Sequence, residues 1–263
     1  MIKSILNISD REHKAFAFGM IFGSFATIFP LIMSINLNNN IKWFINDLYL
    51  LKRIKLLNGG LNTYYFDSEI NSNSIDSFKE FINNLEGTEP IYIFFSTNGG
   101  SFSVVQMICD IILNYKGETN GIVLNKSFSA GTLALLCCSN IYMHQNAHLS
   151  PVDVMMCSFF DTTQLSSIKT VLNNKSPDKI DDNTFILSDQ ATKCKNVLDA
   201  IYEQISIKHD FDEETKKKIW NNIFSGEKYI HSTTFSISML KSFGLKINPM
   251  NKQMIELAKL SKK

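Results

Sequence analysis

The middle of the chain alternates short apolar runs with turns that contain glycine or serine, and this alternation constrains the fold more than any other feature. The run PIYIFFS is rich in β-branched and aromatic residues, which is typical of a strand buried on both faces. A turn with Gly99 and Gly100 follows, then SVVQMICDIILNY with helical apolar spacing. The strand candidate GIVL leads through a serine turn into TLALLCC and a further strand candidate, IYMHQNA. The succession predicts an α/β fold made of βαβ units, with a parallel sheet and right-handed crossovers.

Both turns come at the carboxyl ends of predicted strands, where open α/β sheets collect their functional groups. The pair Gly99 and Gly100 leaves backbone amides uncovered, so that they can approach a developing oxyanion. Ser129, in KSFSAGTLALLCC, stands where the next helix opens. A serine at this position is often only a helix cap. The order and spacing of the two turns favour the other interpretation, in which Ser129 is the nucleophile of an acyl transfer.

The N-terminal part contains a long apolar stretch, AFAFGMIFGSFATIFPLIMSI, which runs from Ala15 to Ile35 without a charged residue. As a helix rising about 1.5 Å per residue it would span roughly 30 Å, the thickness of a bilayer core. We therefore expect a single-pass membrane protein. A cleaved signal peptide is disfavoured, because the preceding residues carry mixed charge and no A-x-A-like cleavage site follows. A buried core helix is the remaining alternative. The predicted division is an N-terminal segment at 1–14, a transmembrane helix at 15–35, a juxtamembrane helix or linker at 36–60, an α/β domain at 61–246 and a C-terminal tail at 247–263.

Charge and cysteine content narrow the class of partner and compartment. Lys and Arg total 26 against 25 for Asp and Glu, so the net charge of +1 gives no general attraction for nucleic acid. We expect no nucleic-acid partner. The cysteines lack the paired spacing of a zinc site or a disulfide scaffold, which favours buried free thiols and a cytosolic main domain. They are Cys109, Cys137, Cys138, Cys157 and Cys194.

Three segments together resemble the serine dehydrogenase proteinase family, within the superfamily of Clp-type proteases, signal peptide peptidase A and crotonases. The segments are FFSTNGGSFSVVQMICDII, SFSAGTLALLCCSNIYMHQNAHLSPVD and SGEKYIHSTTFSISMLKSFGL, and the resemblance extends roughly from Tyr64 to Leu245. It implies a Clp/crotonase-type fold, no metal or organic cofactor, and a homo-oligomer. The chain departs from the family pattern at four positions: Asn98 for Pro, Ala130 for Gly, Ser150 for Gly and Ser232 for Asp.

The resemblance also implies roles for individual residues. Ser129 matches the nucleophile, and an oxyanion hole is expected from the amides near Gly99, Gly100 and Ala130. The family pattern A-D-x-A-x-K falls on SDQATK, which makes Lys193 the expected base.

The general base stays open between a lysine and a histidine. A free lysine has a pKa of about 10.4, so Lys193 would have to be buried beside apolar groups to accept a proton. Helical spacing places Lys193 and Lys195 on opposite sides of one apolar stripe and does not choose between them. His148 and His231 are the alternative bases. His144 and His148 also fit the description of surface residues at a strand end.

We therefore predict a membrane-anchored serine peptidase that cleaves a peptide or membrane-protein substrate through a Ser129 and Lys193 dyad and an acyl-enzyme. A catalytically inactive membrane scaffold of the same fold is one alternative. A hydrolase that uses Ser129 with His148 or His231 is another. An acyl-CoA-handling crotonase relative is disfavoured, because no carboxylates stand near the glycine turn in the sequence.

Overall fold

A computed structural model describes residues 61–157 and 162–260 of the protein. The chain divides into two compact units, residues 1–60 and residues 61–263, and the described residues all belong to the second. The predicted transmembrane helix at 15–35 and the juxtamembrane segment at 36–60 lie outside the described residues. Among the residues that are described, no helix combines the length and the apolar character needed to cross a membrane.

A six-stranded, parallel-paired sheet lies at the centre of this unit and confirms the predicted α/β class. Its strands are β1 (Asn62–Phe66), β2 (Ile91–Thr97), β3 (Thr119–Ser127), β4 (Asn140–Met143), β5 (His148–Leu149) and β8 (Asn248–Pro249). The order is β1-β2-β3-β4-β8, and β5 pairs with the end of β3. Two further strands, β6 (Met155–Cys157) and β7 (Thr162–Gln164), form a separate antiparallel hairpin.

Helices connect and cover these strands. They are α1 (Ser72–Asn83), α2 (Phe102–Asn114), α3 (Ala130–Leu136), α4 (Leu165–Asn174), α5 (Asp182–Lys208), α6 (Glu213–Ile219), α7 (Ile237–Phe243) and α8 (Lys252–Leu260), with a 3₁₀ turn at Pro177–Lys179 and a π-helix at Trp220–Phe224. Several begin at side chains that cap the free amides of a first turn. The Asn71 carboxamide accepts from the N–H groups of Asn73 and Ser74, and Asp181 accepts from that of Thr184.

The helix that follows the serine turn is the most deeply buried one, since every residue of α3 is buried. It packs between α2 and the sheet, as the uninterrupted run TLALLCC indicates. Cys109, Cys137 and Cys138 are buried free thiols, and Cys194 is a half-buried free thiol. Burial raises the pKa values of the Cys137 and Cys138 thiols, so both stay protonated and neither is a nucleophile.

Element ends differ from the sequence pattern where turns or long-range pairing intervene. The run IYMHQNA predicts a strand longer than β4, which stops at Met143 because a turn follows, closed by an Ala147 N–H that donates to the His144 carbonyl at 2.7 Å. The predicted tail at 247–263 supplies β8 to the sheet edge. Its helix α8 buries Met254 and Leu257 against the core.

Candidate active site

The sheet register brings the glycine turn and the serine turn together. Thr97, the last residue of β2, lies directly opposite Ser127, the last residue of β3. The Phe128 N–H donates to the Thr97 carbonyl at 3.1 Å just beyond this pair. Both chains therefore leave the sheet side by side, as expected for adjacent parallel strands.

Ser129 occupies a strained turn between β3 and α3. Its φ of 51° and ψ of −117° lie in a region that residues other than glycine rarely adopt. A serine on such a sharp strand-to-helix turn presents its hydroxyl at the end of the sheet, as nucleophilic serines do. The Ser129 side chain makes no capping hydrogen bond to α3. Helix capping therefore does not account for this serine.

A second serine holds the backbone of the turn. The N–H of Ser129 donates to Oγ of Ser150 at 2.7 Å, and Ser150 is only 3% exposed. The N–H of Ser150 in turn donates to Oγ1 of Thr132 at 3.3 Å in α3. The strained conformation of Ser129 is thus fixed by a buried hydroxyl, at a position where the family pattern has glycine.

The turn after β2 requires glycine at both positions. Gly99 and Gly100 have φ values of 107° and 151°, in the region that favours glycine. A Cβ on Gly99 would lie 2.9 Å from Cβ of Ser129, and a Cβ on Gly100 would lie 2.2 Å from the carbonyl oxygen of Ile70. The absence of side chains therefore lets this backbone pack directly against Ser129.

Three amides were predicted to form the oxyanion hole, and in the structure they differ in whether they already donate a hydrogen bond. The Gly99 N–H donates to Oγ1 of Thr97 at 3.0 Å, so it is already engaged. The N–H groups of Gly100 and Ala130 have no hydrogen-bond partner among the described residues. The nitrogen of Ala130 lies 3.3 Å from the point that a Gly99 Cβ would occupy. Gly100 and Ala130 are therefore the available donors, and Gly99 provides close approach.

A buried carboxylate on the segment after β5 pairs with a histidine. Nδ1 of His231 donates to Oδ1 of Asp153, whose side chain is 4% exposed against 28% for the imidazole. An ionised carboxylate only accepts hydrogen bonds, so Nδ1 carries the proton in the neutral imidazole and Nε2 is left as the acceptor. The pair therefore presents an imidazole in the tautomer that a general base requires.

Two connections link the segments of this pair to the serine turn. Asp153 follows Ser150 by three residues, which span at most about 10 Å of extended chain. Leu149 and Phe235 exchange both backbone hydrogen bonds, at 3.1 and 2.8 Å, and His231 lies four residues before Phe235. The segment that holds the Ser129 backbone thus also carries Asp153 and pairs with the chain that follows His231.

Lys193 does not meet the condition that the sequence sets for a lysine base. Its side chain is 72% exposed, and Nζ binds the Asp189 carboxylate at 2.6 Å one turn earlier on α5. Lys195 is 27% exposed, but its ammonium binds Asp199 at 2.9 Å and lies 4.6 Å from the centre of the Trp220 ring. Each ammonium is paired with an aspartate on its own helix, and neither side chain has the apolar burial that a lysine base would require.

His144 and His148 lie at strand ends, as one interpretation of the sequence expects. His144 follows β4 and accepts from the Asn146 N–H at 3.4 Å. His148 forms β5 beside Lys126 of β3. Among the described residues, neither imidazole donates a hydrogen bond to a carboxylate.

Sequence reasoning missed the roles of Asp153 and Ser150. Asp153 ends the segment LSPVD, which was matched to the family only as a segment, and its partner His231 is 78 positions away. Ser150 counts in the sequence only as a departure from the family glycine. A carboxylate and a histidine within matched family segments were the available signal, but only the fold shows that they meet.

A parallel sheet that sets a strained serine turn beside a glycine turn defines a class of α/β proteins, the Clp-like serine peptidase fold. The chain belongs to the ClpP-like SDH-type serine proteinase family, whose model matches residues 67–263. The resemblance seen in the sequence is therefore confirmed. An uncharacterised protein of Methanocaldococcus jannaschii is 30% identical over 161 residues, covering 61% of this chain and 54% of that protein. The chain thus spans about half the length of the curated relative it matches.

Proposed function

We propose that this protein is a serine peptidase in which Ser129 is the nucleophile and His231, oriented by Asp153, is the general base. One observation carries the choice of base: the buried Asp153 binds His231 on the segment whose Ser150 also holds the Ser129 backbone. Membership of a serine proteinase family supports the reaction class. The Ser129 and Lys193 dyad has weaker support, because the lysine is exposed and ion-paired.

In the proposed reaction, Oγ of Ser129 attacks the scissile carbonyl carbon while Nε2 of His231 takes the hydroxyl proton. The carbonyl oxygen becomes an oxyanion and accepts hydrogen bonds from the N–H groups of Gly100 and Ala130. The imidazolium then protonates the leaving amine, which departs and leaves an acyl group on Ser129. Water, deprotonated by the same imidazole, hydrolyses the acyl-enzyme. The Asp153 carboxylate keeps the imidazole oriented and stabilises its positive charge in both steps.

We also propose that residues 15–35 anchor this peptidase in a membrane and that it acts on peptides or membrane-protein segments there. The support is the uncharged stretch from Ala15 to Ile35, long enough for a bilayer core. Assembly into a homo-oligomer is proposed by analogy with the superfamily alone.

Reaction of the purified full-length protein with a fluorophosphonate probe tests the nucleophile and the base. We expect labelling of the wild type, loss of labelling in Ser129→Ala, and strong slowing in His231→Gln. Lys193→Ala is expected to label at the wild-type rate. Hydrolysis of a fluorogenic peptide library should show the same ranking.

Two matched variants serve as controls. Ser242→Ala removes an exposed hydroxyl that donates within α7, and His144→Gln removes an imidazole at a strand end, so both should label normally. Labelling that survives Ser129→Ala would contradict the nucleophile, and loss in Lys193→Ala with normal His231→Gln would restore the lysine dyad. A folded wild type that neither labels nor cleaves any peptide would favour the inactive scaffold.

A further inference from the structure

We infer that Gln164, the last residue of β7, is a positioning residue for the base: its carboxamide holds Asp153 in the orientation that aligns His231. The inference rests on the proposed function and adds a residue to it. Nε2 of Gln164 donates to Oδ2 of Asp153, while Oδ1 of the same carboxylate accepts from His231. Because the carboxylate can only accept, Gln164 must present its NH₂ group to it.

The hairpin β6–β7 explains how Gln164 reaches this site. Gln164 pairs with Met155 across the hairpin, and Met155 comes two residues after Asp153. The next residue, Leu165, donates its N–H to the Val154 carbonyl at 3.1 Å. The end of β7 is thereby tied beside Asp153, so the Gln164 side chain reaches the carboxylate directly.

A buried carboxylate needs a donor for each oxygen. The Asp153 side chain is 4% exposed, and Gly226 packs against it, since a Cβ there would lie 3.0 Å from Cβ and 3.2 Å from Oδ2 of Asp153. No other donor to Oδ2 lies among the described residues, so without Gln164 this oxygen would lose its hydrogen bond and the carboxyl group would be held through Oδ1 alone. Gln164 therefore fixes the plane of the carboxylate, and with it the direction in which His231 is held.

The uncharged nature of this donor matters for the chemistry. A lysine or arginine in place of Gln164 would form an ion pair with Asp153 and weaken the stabilisation of the imidazolium. A neutral carboxamide orients the carboxylate and leaves its charge for His231. The ammonium of Lys228, two residues after Gly226, donates to Oδ1 of Asn222 at 2.7 Å.

The test compares Gln164→Leu and Gln164→Glu with the matched surface variant Gln190→Glu on α5, all in the full-length protein. The fluorophosphonate labelling rate is measured from pH 6 to pH 9. We expect Gln164→Leu to label about 10- to 100-fold more slowly than wild type, by analogy with the loss of a hydrogen-bond partner that orients a metal ligand. Gln164→Glu keeps the shape of the side chain. Relative to wild type at each pH it should fall further as pH rises, because two carboxylates then face each other, and recover as pH falls, because a protonated Glu donates.

A second measurement does not depend on activity. Histidine-selective ¹⁵N labelling allows the His231 ring to be followed by NMR, with His231→Gln assigning its signals. In wild type we expect a protected Nδ1–H resonance, which Gln164→Leu should broaden or shift and Gln190→Glu should leave unchanged. Thermal unfolding identifies variants that do not fold. If Gln164→Leu does not fold, the pH dependence of Gln164→Glu provides the test instead.

Labelling at the wild-type rate with the wild-type pH profile in both Gln164 variants, together with unchanged His231 signals, would overturn the inference and leave the Ser129 peptidase intact. If the wild type is not labelled at all, the peptidase proposal fails instead. The His231 spectrum then still decides, because altered signals in Gln164→Leu would support the positioning role and unaltered signals would end it.

Discussion

Two candidate bases, Lys193 and His231, are each paired with an aspartate, and the two pairs differ in sequence separation and in exposure to solvent. Asp189 and Lys193 stand one turn apart on α5, with side chains 62% and 72% exposed. Asp153 and His231 are 78 positions apart in the chain, with side chains 4% and 28% exposed. The first pair follows from helix geometry alone, whereas the second exists only because the sheet, the hairpin and the turn before α7 come together.

The difference matters because solvent determines what an ion pair can do. An exposed pair interacts weakly, because both charges keep their hydration. A buried carboxylate remains where the fold places it, and its field acts strongly on the one imidazole beside it. Proximity of base and acid is therefore a poor guide to catalysis unless the pair is also held out of water.

The same substitution in both pairs should give the largest contrast. Asp153→Asn is expected to lower the rate of fluorophosphonate labelling about 10³- to 10⁴-fold, because the amide favours the wrong imidazole tautomer. Asp189→Asn should change that rate less than about twofold, since a surface pair contributes little. Time courses of probe labelling, quenched at intervals, measure the labelling rates of the two folded variants. Equal rates in the two variants would remove His231 from the proposed mechanism.

Two glycine turns also differ in whether they contact a distant part of the chain. Gly87 has a φ of 89° and nothing within 4 Å of an added Cβ, whereas Gly100 packs on the carbonyl of Ile70. Gly87→Ala should lower the free energy of unfolding by about 1–2 kcal/mol, the cost of a left-handed backbone. Gly100→Ala adds a steric overlap and should cost about 3 kcal/mol or more.

Urea denaturation of both glycine variants checks this difference. If Gly100→Ala is no less stable than Gly87→Ala, the glycine turn does not pack on Ile70 as described. The part assigned to the Gly100 amide in the proposed oxyanion hole would then lose its support.

How far the sequence predicts this molecule depends on the same distinction. Strands β2 and β3 and helices α2 and α3 were predictable, because each is a continuous apolar run with its own period. The turns that carry Ser129 and Gly100 were predictable as well, because each turn follows such a run within a few residues. Parallel pairing then requires their turns to meet at one edge of the sheet.

The pairing of His231 with Asp153 was not predictable in this way. The apolar stripe of α5 is confirmed by the burial of Ala191 and Leu198, yet periodicity could not show that Lys193 faces solvent. Asp153 and His231 belong to irregular segments, where no helical or strand periodicity predicts which side chains are in contact. Their contact depends on the pairing of Leu149 with Phe235, which is a property of the assembled fold.

Ser150 offers a smaller test of how the buried site is held. Ser150→Ala removes the acceptor of the Ser129 N–H, so the strained backbone loses one of its restraints. We expect labelling to slow about tenfold and stability to fall by about 1–3 kcal/mol, the cost of a buried unpaired amide. Ser242→Ala is the control, because its exposed hydroxyl only bonds the carbonyl of Met239. Unchanged labelling in Ser150→Ala would show that the Ser129 turn keeps its conformation without the hydrogen bond to Ser150.

The smallest effects are expected on α5, where the two candidate lysines can be compared directly. Lys193→Ala removes an exposed pair and should change the free energy of unfolding by less than about 0.5 kcal/mol, with labelling unchanged. Lys195→Ala also removes an ammonium from the face of Trp220 and should cost about 0.5–1 kcal/mol more, again without affecting labelling. Chemical denaturation and probe labelling of both variants check the ranking. A lysine variant that loses labelling while keeping its stability would identify an ammonium that acts in the reaction, and the exposed pair would then prevail over the buried one.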